Sequence, residues 1–149
     1  MTLADELKRS NIIFIDTAPI IYYIEAHPQF GPLICEIVDA FQTGKVNAIT
    51  SVLTLTEVLS KPIAAGNERL AKKFAEFLRY GKNLSLIEIS VSIAERAGRL
   101  RGRYPNLKTM DAIQLAVALD AGADAFLTND KQLKGVKEMK VLVLKDYLK

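Results

Sequence analysis

One cysteine, Cys35, and one histidine, His27, are all that 149 residues provide of these two types. A lone cysteine excludes an intrachain disulfide, so nothing here calls for an oxidising compartment. Together the two scarce residues all but exclude a thiolate- or imidazole-rich metal site. A Ser-His-Asp or Cys-His device would have to draw on His27, which lies in "EAHPQFG" and reads as a solvated loop residue ahead of a proline. Long apolar runs are missing too: none approaches the roughly 20 residues that span a bilayer. The amino-terminal "MTLADELKRSN" carries acids and no apolar core, unlike a secretory signal. The expected location is therefore cytoplasmic, with no membrane partner. Repeats, low-complexity tracts and linker-like stretches are likewise absent, and the length suits one domain over 1–149.

The composition that remains is half hydrophobic and a quarter charged, as in globular proteins. A net charge of +3 and a pI near 9 permit a polyanionic partner without demanding one. Along the chain, short β-prone runs alternate with longer helical patterns. Residues 11–16 read as a buried strand from their continuous apolar character. "TAPIIYYIE" follows as a short helix, with Thr17 or Ala18 at its cap and Pro19 in its first turn. Leu33, Ile34, Ile37, Val38 and Phe41 have the spacing of an amphipathic helix. "VNAITS" is a second strand, and "TLTEVLS" a helix expected to end near Lys61-Pro62. "NERLAKKFAEFLRYG" forms another helix, with Phe74, Phe77 and Leu78 inward and Gly81 at the C′ position. "LSLIEIS" alternates as a strand, then come helices in "SIAERAGRLRGRY" and "TMDAIQLAVALDAGA" and strands in "AFLT" and "KVLVL". About five strands interleaved with helices predict an α/β/α sandwich with a mainly parallel sheet and right-handed crossovers.

Such sheets bind ligands beyond the carboxyl ends of their strands, where strand order reverses. Asp16 ends the first strand and Asp130 lies just past "AFLT", so both acids project from that rim. Asp124 precedes its strand and belongs to the opposite edge. Asp111 and Gln114, at i and i+3, share a face near the start of a mostly apolar helix, a polar pair that needs partners or a ligand. Glu57 is the only charge in "SVLTLTEVL". Each has an ordinary reading as well: a cap for Asp16, a turn for Asp130, a helical glutamate for Glu57, a helix-dipole partner for Asp111. Their coincidence at one end of one sheet outweighs these separate readings.

The order Asp16 in "FIDTAPIIYYIE", Glu57 in "TLTEVL", Asp111 in "TMDAIQLAVAL" and Asp130 in "FLTND" resembles the PIN-domain ribonucleases. It is most similar to the small VapC-type toxins of toxin–antitoxin pairs, from Asn11 to the final strand. The resemblance implies metal-dependent cleavage of single-stranded or looped RNA leaving a 5′ phosphate. It also implies dimerisation and docking of an antitoxin protein through the neighbourhood of the first helices. A homodimer is the expected state, since "PIIYYIE" and "FGPLICEIVDAF" hold more apolar residues than one helix face can bury.

Clustered carboxylates repel one another, and a divalent cation removes that conflict. Oxygen-only ligands favour Mg²⁺ or Mn²⁺ over Zn²⁺, and point to phosphodiester hydrolysis. Asp16 and Asp111 are the expected direct metal ligands. Asp130 joins them directly, through water, or at a second ion, while Glu57 orients or deprotonates the attacking water or completes the second-ion site. Thr17 and Thr128 would fix carboxylate orientation. Arg96, Arg99 and Arg103 share one helix face and, with Lys108, could track an RNA backbone, Tyr104 being available to stack on a base. Two phosphoryl-transfer alternatives fit poorly. A haloacid-dehalogenase-type phosphatase needs an acid at Ala18, and a receiver domain needs one at the end of a middle strand. The rival of another class is a PIN-like module that binds RNA or protein without cutting.

Overall fold

The computed structural model describes residues 1–149. Its elements are α1 (Leu3–Lys8), β1 (Ile12–Ile15), α2 (Thr17–Ile24), α3 (Gly31–Gln42), β2 (Asn47–Ser51), α4 (Val52–Ala64), α5 (Glu68–Tyr80), β3 (Leu84–Ile87), α6 (Val91–Arg103), α7 (Thr109–Asp120), β4 (Ala125–Thr128) and β5 (Val141–Val143), with 3₁₀ turns at Lys131–Gly135 and Leu144–Tyr147. The five strands form one sheet in the order β3-β2-β1-β4-β5, and every pairing is parallel. The chain builds outward from β1 to β3, then crosses back to place β4 on the other side of β1. Strand order therefore reverses at the β1–β4 seam.

Helices cover both faces of the sheet, as the continuous apolar strands require. Ile13 and Ile15 of β1, with Ala125 and Leu127 of β4, pack into a core that includes α2, α3 and Phe74 and Leu78 of α5. The alternate residues Phe14 and Phe126 point the other way, into a second core made with α6 and α7. Their rings stack 4.8 Å apart and 3° from parallel, which locks the two central strands in register. No helix is long and apolar enough to cross a membrane.

Several local expectations are revised. The amino-terminal segment forms α1, closed by a capping box between Thr2 and Asp5. α4 runs through Pro62 to Ala64; so near the helix end only the Val58 carbonyl loses its donor, and the proline ring is buried. Gly81 stops α5 with extended backbone (φ −60°, ψ 134°) and not in a left-handed turn. Glycine is still required there, since an added Cβ would lie 2.5 Å from the Phe77 carbonyl. β3 is only Leu84–Ile87, shorter than "LSLIEIS". The apolar surplus of α2 and α3 goes into the core: Ile20, Ile24, Ile34, Ile37, Val38 and Phe41 are buried, with Ile21, Tyr22, Tyr23 and Leu33 packed against them. No large hydrophobic of either helix is fully exposed, and Ile21, Tyr22, Tyr23 and Leu33 remain half-buried at the surface. His27 is half-buried against Tyr22 and Phe30, its Nδ1 accepting the N–H groups of Gln29 and Phe30, and so shapes the loop instead of facing solvent.

Candidate active site

Asp16 stands where β1 hands over to α2. Its backbone N–H donates to Leu127 O across the β1–β4 seam, and its side chain caps α2 by accepting the Thr17 N–H at 2.9 Å. The cap is thus Asp16, its ordinary reading in the sequence, and not Thr17 or Ala18. Its second oxygen accepts the Thr128 hydroxyl at 2.8 Å, from the carboxyl end of β4. Asp130, two residues on, caps the following 3₁₀ turn through Gln132 N–H, and its own N–H donates to Thr128 Oγ1. Thr128 therefore ties both strand-end acids into one rim. At the opposite edge Asp124 accepts the N–H groups of Asn11 and Ile12, where it braces β1 far from this rim.

Glu57, exposed on α4, accepts the Thr17 hydroxyl at 2.8 Å. Behind this contact lies a buried polar chain. Gln114 of α7 donates its amide N–H to Thr54 Oγ1 at 2.7 Å and takes the Ser51 hydroxyl on its carbonyl. Thr54 Oγ1 is 2.9 Å from Thr50 Oγ1 and 3.3 Å from Thr17 Oγ1. Thr50 commits its one proton to Ile15 O at 2.8 Å, and Thr17 commits its proton to Glu57. Thr54 is then left to donate to one of these two hydroxyls, so each proton in the chain has an acceptor. The polar pair read from the sequence divides: Gln114 is satisfied inside the protein, and Asp111, one turn earlier and half-buried, faces the acids.

The electrostatics mark the convergence. Burial pushes Asp16 up to about 6, against the Thr17 and Thr128 hydrogen bonds, and the Asp111 and Glu57 charges add to the rise. Burial also raises Asp111, as do the charges of Asp130 and Glu57, while Lys108 alone pulls it down. The expected trio Asp16, Asp111 and Asp130 is not a preformed cage, for no three acids, with or without His27 and Cys35, form a ready ligand group. Asp16 and Asp130 are both held as caps by the backbone N–H groups of Thr17 and Gln132, and among the neighbouring charges only Lys108 opposes the repulsion on Asp111. An oxygen-only donor set with surplus negative charge still fits Mg²⁺ or Mn²⁺, which takes one or two carboxylates and fills its shell with water and phosphate oxygens.

The basic residues sit on the same side. Lys108 lines a cavity of about 270 Å³ with Asp111 and Arg103, and Arg103 also borders a second cavity with Arg96 and Arg99. Arg96 and Arg99 are exposed and unpaired, whereas Arg103 donates to Glu138 at 2.6 Å. Tyr104 is clamped as well: its hydroxyl donates to Glu138 and accepts Lys137 N–H at 3.1 Å. Glu138 is not legible from the sequence as their partner, because it lies more than thirty residues from both.

A family model described as the PIN domain matches residues 13–139. The chain belongs to the PIN-domain family. No curated protein sequence matches it. In fold, this PIN domain is similar to VapBC2 of Rickettsia felis bound to a promoter DNA fragment, at 18% identity over 89% of this chain and 98% of that one, TM-score 0.73. It is also similar to a toxin–antitoxin complex from Klebsiella pneumoniae, at 24% identity, 89% and 97% coverage and TM-score 0.64. A third is VapC20 of Mycobacterium tuberculosis, named as a sarcin-ricin loop cleaving toxin, at 20% identity, 76% and 86% coverage and TM-score 0.60.

Proposed function

We propose that this PIN domain is a Mg²⁺- or Mn²⁺-dependent endoribonuclease, the toxin of a toxin–antitoxin pair. What supports the reading is that Asp16 and Asp130 stand at the carboxyl ends of the two strands where strand order reverses, and that Asp111 and Glu57 are near enough to Asp16 for their charges to add to the rise that burial gives its pKa. Asp16 and Asp111 would hold the ion, with Asp130 completing the site or a second one. When bound, the ion supplies neutralisation of phosphate charge and activation of water. Glu57, held by Thr17, accepts the proton of the attacking water as the new O–P bond forms and the P–O3′ bond breaks. The leaving O3′ takes up a proton, and the phosphate stays on the 5′ side of the downstream product. Lys108 binds phosphate beside Asp111, and Arg96, Arg99 and Arg103 extend the track for the strand. The similarity in fold to solved toxin–antitoxin complexes supports an antitoxin protein as partner.

The test is RNA cleavage by the purified protein with Mg²⁺ or Mn²⁺. Activity should vanish in EDTA and return with metal, and Asp16→Asn or Asp111→Asn should lower it about 10²-fold or more, the scale for losing one group that stabilises the reacting charge. A folded preparation that binds RNA but cuts none with either metal would instead establish a non-catalytic binding module.

A further inference from the structure

The cavity beside Asp111 has a construction that phosphate binding alone does not need. Its apolar wall consists of Leu107, Leu133 and Val136, all buried parts of the second core. Tyr104 forms a rigid aromatic wall, since Glu138 and Lys137 N–H hold its hydroxyl from two directions. At the rim stand Asn106 and Gln132, whose side-chain amides bond to nothing else in the protein. Each amide offers both donors and an acceptor. Lys108 and Asp111 then join this cavity to the acidic rim.

Apolar walls, one fixed aromatic ring and free amides at the edge match a flat heteroaromatic ligand with hydrogen-bonding edges. Single-stranded RNA presents that ligand when a base is splayed out of its stack. We propose that this cavity takes up one unpaired nucleobase next to the phosphate that is cut, packed against Tyr104 and read at its edge by Asn106 and Gln132. The inference rests on the nuclease reading and adds to it a selectivity for sequence at one position.

The experiment is cut-site sequencing of a randomised single-stranded RNA pool digested with Mn²⁺ present. One position beside the cut should show a base bias of about tenfold or more, the discrimination expected of one well-made pair of edge contacts. In Asn106→Ala and Gln132→Ala that bias should fall to about twofold or less while weaker biases elsewhere persist. Both side chains are exposed and unbonded, so neither change threatens the fold. A bias identical in wild type and both variants overturns the base pocket and leaves the nuclease standing. If no RNA in the pool is cut, the nuclease reading fails, and titration of the four 5′-mononucleotides against methyl-labelled protein decides the pocket. Shifts at Leu107, Leu133 and Val136 that weaken in Gln132→Ala support it, and their absence overturns it.

Discussion

The Asp16 carboxylate caps α2 with one oxygen and takes the Thr128 hydroxyl on the other, while burial and two neighbouring acids raise its pKa to about 6 from an ordinary 3.8. A group raised on folding stabilises fully below its unfolded value, and that contribution is lost as pH rises through its folded value. Here the loss falls between about pH 4 and pH 6, so at neutral pH the metal-free protein carries a strained charge. Asp16→Asn keeps a capping oxygen but removes the charge. In EDTA at pH 7 this variant should therefore melt several degrees above wild type, up to about 3 kcal/mol at about 1.4 kcal/mol per pKa unit. At pH 4 the gain should shrink to nothing, and a gain of the same size at both pH values would refute the assignment. Mg²⁺ should raise the melting temperature of wild type more than that of the variant. This conflict was partly legible in the sequence, because an acid ending an apolar strand announces itself. The Thr128 contact, 112 residues away, does not.

Between elements, the buried chain from Gln114 through Thr54 joins α7 to α4 and ends on the contact between Thr17 and Glu57. Gln114→Leu leaves the Ser51 hydroxyl without its acceptor and Thr54 without a donor, at a cost of about 1–3 kcal/mol. Chemical denaturation should show this loss, together with a fall in kcat that exceeds any change in KM, since Glu57 loses its orientation. Combining Gln114→Leu with Thr54→Val should cost less than the sum of the single changes, because the second removes the group that the first stranded. Strict additivity would mean that the two side chains do not act together. Helix and strand identities followed from apolar spacing, which is why α3, α5, α6 and α7 read correctly. Ends were harder: Pro62 lies in α4 because a last-turn proline forfeits little, and α1 was missed because six residues show no periodicity. The Gln114 partners were invisible, as hydroxyl residues in "AITSVLT" read equally well as a strand end and a helix start.

At the scale of the molecule, parallel pairing turns distant acids into neighbours, and this much was readable from the alternation of helices and strands alone. The pairing of Arg103 with Glu138 was not, and it leaves Arg96, Arg99 and Lys108 as the free cations of the proposed RNA track. Binding of single-stranded RNA should weaken as salt rises, with a slope of about 0.7 per phosphate neutralised. Arg96→Glu with Arg99→Glu should flatten that slope by more than one while thermal stability holds, since both residues are exposed. A slope that does not move would place the RNA elsewhere. The strand order carries one more consequence, for synthesis. Asp16 and Glu57 belong to the first part of the chain, whereas Asp111 and Asp130 arrive around β4, which must slot against β1 to bring them in. A nascent polypeptide still emerging from the ribosome therefore holds only Asp16 and Glu57 of these four acids and leaves one side of β1 bare. The acidic rim is therefore completed only once the final third of the chain has been released and β4 has paired with β1.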